Sequence, residues 1–303
     1  MAKRFLSIGE CMVELSQAEG GLLRKGYAGD TFNTAWYARI CLSGDWSVSY
    51  YTALGDDPVS DEMLAFMSRA DIETGDIRRI KGRTPGLYMI HLKDGERSFS
   101  YWRDTSAAKD LAADPDHLRR AIDAADIVYV SGITLAILKP DGLDTLLSEL
   151  RRAKVSGKPV AFDPNLRPRL WPDRQTMLDT ISLGARAASI VLPGFDDEAA
   201  HFGDASIDAT LDRYKGLGAT GIVVKDGAKG ATLDFGNGRR HVPAATADKV
   251  ADTTSAGDSY NGAFLARYLD GASPEDAAAF AARVAASVIS HHGALIPAEK
   301  LGL

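Results

Sequence analysis

Cysteine is almost missing from this chain: among 303 residues only Cys11 and Cys41 occur. Two thiols are too few for a disulfide framework or a cysteine-based zinc site, so both read as reduced structural side chains. No apolar run approaches the roughly 20 residues that cross a bilayer. The opening Met1-Ala2-Lys3-Arg4-Phe5 enters a short strand without the apolar core of a secretory leader. The chain therefore reads as cytoplasmic. It has no basic excess either: 35 Lys and Arg face 41 Asp and Glu, a formal charge of -6. That balance disfavours nucleic acid and anionic membranes as partners and favours small molecules. Internal repeats, low-complexity tracts and long linkers are also lacking. What remains, with 45% apolar and 25% charged residues, is a globular composition with ample core.

From Phe5 onward short β-branched runs alternate with longer amphipathic ones. Strands are expected at Phe5 to Gly9, Val48 to Ala53, Ile127 to Ser131, Val160 to Asp163, Ile190 to Pro193 and Ile222 to Lys225. Helices are expected near Thr31 to Leu42, Val59 to Ala70, Asp141 to Ser156, Arg174 to Ala187 and Ala205 to Leu217. Such alternation predicts an α/β fold, a parallel sheet covered by helices on both faces, with its site beyond the carboxyl ends of the strands. Two stretches, Cys11 to Tyr27 and Ile72 to Tyr101, break the rhythm with Gly-punctuated short strands and no helix. Strands without crossover helices must pair with one another, which predicts a small accessory sheet over the site, a lid. A peripheral hairpin without a role is the plainer alternative.

The segment richest in chemistry is Asp252-Thr253-Thr254-Ser255-Ala256-Gly257-Asp258-Ser259-Tyr260-Asn261-Gly262. Small residues at Ser255, Ala256 and Gly257 let backbone amides approach a ligand, and the apolar period after Asp258 starts a helix whose first amides face it. Preorganised amides at a positive helix end stabilise the charge on a phosphoryl group in transfer. A carboxylate in that first turn, Asp258, stands where it can take a proton from an attacking hydroxyl. The alternative is a capped helix, where Asp near the N-terminus contributes about 0.3–1 kcal/mol through the dipole.

This segment resembles the C-terminal signature of the ribokinase-like (PfkB) carbohydrate kinases, with Ser255 in place of the first glycine, a change the loop tolerates if the φ of Ser255 stays negative. The resemblance runs over nearly the whole chain and is nearest to 2-keto-3-deoxygluconate kinases. It is carried by Gly9-Glu10-Cys11-Met12-Val13-Glu14-Leu15, by Ala28-Gly29-Asp30-Thr31-Phe32-Asn33-Thr34-Ala35 and by Pro85-Gly86-Leu87-Tyr88. Tyr101-Trp102-Arg103, the run Ser131 to Leu138, and Asp163-Pro164-Asn165-Leu166-Arg167-Pro168-Arg169-Leu170-Trp171 complete it. It implies a three-layer αβα domain over residues 1–303 with a mainly parallel central sheet. Residues 11–27 and 72–103 contribute the lid strands. It further implies ATP-dependent phosphorylation of the terminal (6-) hydroxyl of a sugar acid, with Mg²⁺ and, in some relatives, K⁺.

The residues suit such a substrate. A carboxylate needs a counter-charge, which guanidinium supplies bidentately, so Arg103 and Arg167 are candidates, with surface ion pairs as the plainer role. Tyr88 and Tyr101 sit on lid strands, where rings can stack on a carbon chain while the hydroxyl points outward. Gly29, Asp30 and Asn33 open a helix and can hold sugar hydroxyls; Asp30 as a helix cap is compatible with that. For ATP, the resemblance implies Asn165, Arg167, Lys225, Gly227, Gly230, Gly257 and, by position only, Ala285. It implies Glu198 for ordering Mg²⁺ through water, although Phe195 stands where many relatives have asparagine, and Asp252 and Thr254 for a monovalent cation. Lid strand edges invite pairing with a second copy.

Two motifs are decoys. Gly216-Leu217-Gly218-Ala219-Thr220-Gly221 has dinucleotide glycine spacing, but a helix precedes it and a strand follows, the reverse of the fingerprint. Asp234-Phe235-Gly236 lacks the rest of the protein-kinase set and lies in a hairpin region. His291-His292 at a helix end reads as a solvated terminus. Besides the sugar-acid kinase, a fructokinase or other neutral-sugar kinase of the same fold and a non-catalytic sugar-binding sensor remain as readings.

Overall fold

The computed structural model describes residues 2–93 and 96–302. In chain order its strands are β1 (Lys3–Ile8), β2 (Met12–Gln17), β3 (Leu23–Ala28), β4 (Trp46–Tyr51), β5 (Ala53–Leu54), β6 (Ile72–Glu73), β7 (Arg78–Arg79), β8 (Leu87–Lys93), β9 (Glu96–Trp102), β10 (Ile127–Ser131), β11 (Val160–Asp163), β12 (Ile190–Val191), β13 (Gly221–Lys225), β14 (Ala231–Asp234) and β15 (Arg239–Val242). The large sheet runs β15-β14-β13-β12-β11-β10-β1-β4-β6. Every pairing from β6 across to β13 is parallel, and β14 and β15 close that edge antiparallel.

Side chains alternate between the faces of a strand, and here both faces are apolar because both are covered. Phe5 and Tyr129 enter one core layer with Phe32, Phe264 and Ala281, from the helices Asp30–Cys41, Ala256–Leu269 and Pro274–Ile289. Leu6, Ile8, Val128 and Val130 point the other way, onto Leu146 and Met177 of the helices Pro140–Val155 and Arg174–Ala187. At about 25 cal/mol per Å² of apolar surface, each such buried Leu or Phe contributes roughly 1.5–3 kcal/mol.

A second sheet has the order β3-β2-β8-β9. Met12, Ala28, Tyr88 and Ala294 form a small separate apolar cluster at its base. Residues 72–86 do not enter this sheet, contrary to the span expected for the second lid stretch. Buried Ile72 places β6 against β4 in the large sheet, and Arg78–Arg79 pairs with Ala53–Leu54. Both decoys fall as their context requires: Gly216 ends the helix Ile207–Gly216 ahead of β13, and Asp234 ends β14 in the β14–β15 hairpin.

Candidate active site

The carboxyl ends of β1, β10, β11 and β13 bring Gly9, Ser131, Asp163 and Lys225 to one edge of the sheet, and the starts of two helices meet them there. One is the helix Ala256–Leu269, with Asp258 as its third residue. Its first intrahelical bond is from Ser259 N–H to Ser255 O, 2.8 Å, so the Gly257 and Asp258 amides lie in the turn that has no acceptor within the helix. Of the expected anion-binding amides, that of Ala256 bends back to Thr253 O at 3.3 Å.

Ser255 departs from expectation. Its φ is +64°, left-handed, not negative. A left-handed residue followed by a helical one turns successive N–H groups toward the same side, a concavity suited to an anion. That geometry explains why glycine suits the position, and serine holds it at some cost: its Oγ is buried without a partner. Gly257 is the informative glycine. A β-carbon there would meet nothing nearer than Lys225 Nζ at 3.7 Å, whereas one at Gly262 would lie 2.5 Å from Thr34 O. Packing therefore requires glycine at 262 but not at 257, and the bareness of Gly257 serves whatever approaches the loop.

The second helix, Asp30–Cys41, begins at Gly29, where a β-carbon would stand 2.1 Å from Glu10 O. Asn33 donates from Nδ2 to Asp258 Oδ2 at 2.8 Å and accepts at Oδ1 from Gly29 N–H at 3.3 Å, which fixes its amide orientation. Burial, the Asp30 charge and the Asp163 charge push the Asp258 carboxyl up to about 7, against the opposing pull of Asn33 and Lys225. Asp30 is itself raised, by burial foremost. Its Oδ2 accepts at 2.8 Å from Nδ2 of Asn165, a residue expected at the nucleotide. Asn165 has φ +36°, held by its own N–H on Asp163 Oδ1, 3.1 Å.

The remaining candidates divide. Lys225 ends β13 with Nζ 3.1 Å from Asp163 Oδ2 and 2.9 Å from Asn261 Oδ1. Gly227 and Gly230, with φ +51° and +100°, make the tight turn that follows. Arg103, just after β9, is 13% exposed and bonded to buried Glu10, while its guanidinium stands 6.0 Å from the Tyr101 ring. Arg167 is looser: half exposed, bonded to Leu166 O at 2.7 Å, with Asp197 at 3.6 Å. Tyr88 does not point its hydroxyl outward; buried, it donates to Glu14, its cross-strand partner on β2. Tyr101 is half exposed and stacks on Phe99. Ala285 packs half-buried on the core.

Glu198 is not turned to solvent. Fully buried, its carboxylate takes Arg213 Nη2 at 2.6 Å and Tyr214 Oη–H at 2.9 Å, and burial raises it to about 7. Its oxygens are thus engaged by the protein, which departs from the expected task of ordering metal-bound water. Asp252 accepts from Thr254 N–H at 2.9 Å and Gly293 N–H at 2.8 Å.

Sequence reasoning missed Asp163 and Asn261. Asn261 Nδ2 lies 2.6 Å from Asp163 Oδ2 and 3.2 Å from Tyr129 Oη, all within the buried floor of the site. The signal was present: Asp163 closes the apolar strand Val160-Ala161-Phe162, and Asn261 interrupts an apolar helix face. Buried polar groups need partners, so isolated ones in apolar runs point to a network.

A family model described as pfkB family carbohydrate kinase matches residues 2–301. The 2-dehydro-3-deoxygluconokinases of Dickeya dadantii (strain 3937) and Escherichia coli (strain K12) are each 38% identical to this chain, covering 99% of it and 98% and 99% of their own lengths. A fructokinase of Vibrio alginolyticus is 26% identical, covering 85% of this chain and 81% of its own. A PfkB protein from Polaromonas sp. JS666 superposes with a TM-score of 0.85 at 26% identity over 96% of both chains. A fructokinase with bound ATP from Xylella fastidiosa shares the fold, with a TM-score of 0.84 at 24% identity over 97% of this chain and 94% of that one. With its three-layer architecture and lid sheet in place, the chain belongs to the pfkB family of carbohydrate kinases.

Proposed function

We propose that this protein transfers a phosphoryl group from ATP to the terminal hydroxyl of 2-keto-3-deoxygluconate, giving the 6-phosphate and ADP. The observation that carries the reading is full-length similarity at 38% identity to two 2-dehydro-3-deoxygluconokinases, against 26% to a fructokinase. The site supports it. Asp258, raised to about 7 and oriented by Asn33, is matched to accept the hydroxyl proton near neutral pH. The Gly257 and Asp258 amides and the positive helix end oppose charge developing on the transferred group, above the buried floor of Asp163, Asn261 and Tyr129. Asp30 and Asn33 bind sugar hydroxyls, Arg103 or Arg167 the carboxylate, and the β13 turn the nucleotide.

Magnesium bound with ATP supplies charge neutralisation at the phosphates. Among the described residues no three His, Cys, Asp or Glu side chains converge to hold a metal ion. A potassium requirement would involve the Asp252 loop, whose carboxylate already takes two backbone amides. No helix among the described residues is long and apolar enough to cross a membrane, and we place the reaction in the cytoplasm. Exposed Leu23, Phe99, Tyr101 and Trp102 on the four-stranded sheet, with Leu22 just ahead of β3, support its use as a lid and as a face for a second copy.

A coupled ATPase assay across 2-keto-3-deoxygluconate, its galacto epimer and fructose tests the reading. The expected result is a kcat/KM for the keto acid at least about 100-fold above fructose, as for sites built around a charged group. Equal turnover of fructose would make the protein a neutral-sugar kinase, and no turnover of any sugar would favour the sensor.

A further inference from the structure

The Lys225 ammonium is held in an unusual place. It ends β13, a buried strand paired parallel with β12 and antiparallel with β14, and among the residues within reach two oxygens from two other elements take its protons: Asp163 Oδ2 from β11 and Asn261 Oδ1 from the Asp258 helix. Asp163 Oδ2 is simultaneously bonded to Asn261 Nδ2 at 2.6 Å. Ammonium, carboxylate and amide thus close a three-membered ring of contacts. An ammonium has three protons, and the third side of Lys225 faces the bare Gly257 loop, 3.7 Å from where a β-carbon would stand. Withdrawing a lysine this far from water is unfavourable without acceptors and an opposite charge. A structural ion pair does not need to abut a helix-start loop whose glycine packing leaves bare.

We propose that Asp163 and Asn261 are positioning residues that tether Lys225 beside the Gly257 amide, so that its third N–H meets the phosphoryl group as it moves toward the acceptor hydroxyl. The tether fixes a long, flexible side chain in advance, which is what lets a point charge act on a transition state without reorganising. Asp163 serves twice: its other oxygen holds the Asn165 N–H whose side chain secures Asp30. One carboxylate therefore sets both the phosphate side and the sugar side of the cleft. This inference rests on the phosphoryl-transfer reading above.

The test is a double-mutant cycle in steady-state kinetics on the full chain, varying ATP and the keto acid separately, with Asp163→Asn, Lys225→Met and the pair. Asp163→Asn places an amide where Lys225 and Asn261 both need an acceptor. The expected result is a kcat at least about tenfold lower, a keto-acid KM changed by less than about threefold, and a double variant no slower than Lys225→Met within about twofold. Asn at 163 keeps an oxygen for the Asn165 N–H, so the sugar side stays in place; a loss at 163 independent of Lys225 would instead multiply the two losses, and that outcome overturns the tether. Should Asp163→Asn fail to fold, Asn261→Leu removes one leg of the ring, and the same cycle with Lys225→Met decides. A wild type inactive on every sugar would overturn the proposed function; an active wild type with multiplied losses overturns only this inference.

Discussion

Asp258→Asn is expected to damage the enzyme and stabilise the protein at once. The substitution keeps shape and leaves an oxygen to accept from Asn33 Nδ2, which in the wild type lies 2.8 Å from Asp258 Oδ2. It removes a charge that the fold opposes, since burial and Asp30 raise the carboxyl from 3.8 to about 7. The native state therefore holds this proton more tightly than the unfolded chain does. Stability contributed by the protonated form is present below the unfolded value, declines as pH rises through about 4 to 7, and is gone above that window. A displacement of about three pH units corresponds to about 4 kcal/mol at 1.36 kcal/mol each. Loss of the attraction to Lys225 offsets part of this, so the expected gain for Asn at pH 8 is about 1–4 kcal/mol. At about 2 °C per kcal/mol for a chain of this size, Tm rises by roughly 2–8 °C. At pH 4.5 the native state still carries the proton while the unfolded chain has mostly released it, so the gain should shrink to about a quarter of its pH 8 value. Thermal melts of both proteins at pH 4.5, 6 and 8, beside kcat at pH 8, make the assay. A variant less stable than wild type at pH 8, or a gain independent of pH, would refute the reasoning about this carboxyl.

The same carboxyl must be ionised to act as base, so kcat/KM should rise with pH to a plateau above about 7. The acid limb is expected to disappear in the residual activity of Asp258→Asn, which pH–rate profiles will show, and kcat itself should fall about 10²–10⁴-fold. Gly257→Ala should fold with equal or greater stability, by about 0.4–1 kcal/mol, yet lose kcat at least about tenfold as the methyl enters the anion's space. Denaturant melts and turnover on one preparation check both halves. Ser255→Gly relieves the left-handed serine and its unpartnered hydroxyl, with a gain of about 1 kcal/mol in urea unfolding and unchanged activity. Arg167→Ala should cost about 1.5–3 kcal/mol in kcat/KM for the keto acid, while fructose turnover stays level; equal losses on both sugars would assign the arginine to ATP.

Much of this molecule was legible because hydrophobic period and length agree in its βα units. Val160-Ala161-Phe162 is apolar on both faces, as only a covered parallel strand can be, and the helix expected at Arg174 to Ala187 has those same limits in the structure. The helix expected from Ala205 starts instead at Ile207, because the Ser206 side chain accepts from Ala209 N–H and caps it. The two-residue strand Ile190–Val191 was legible from its apolar run, but the pairing of Ile72–Glu73 with the large sheet was not, since so short a segment has no period and pairs only through its neighbour. In the site, Asp258 and Asp30 stood out by motif. The left-handed Ser255 did not, because tertiary contacts overrode the backbone preference of serine. Asp163 and Asn261 reveal themselves through partners 98 residues apart in the chain, which no local window contains.

Glu10 gathers several contacts at the junction between the four-stranded sheet and the body. The four-stranded sheet joins the body at the starts of β2 and β8 and the ends of β3 and β9. Next to those junctions, Glu10 O would contact a side chain at Gly29, Glu10 Oε1 one at Gly86, and Glu10 Oε2 grips Arg103. Gly29 also opens the helix that carries Asn33, whose amide bonds Asp258, so the backbone junction that seats the small sheet is the one that seats this carboxylate's partner.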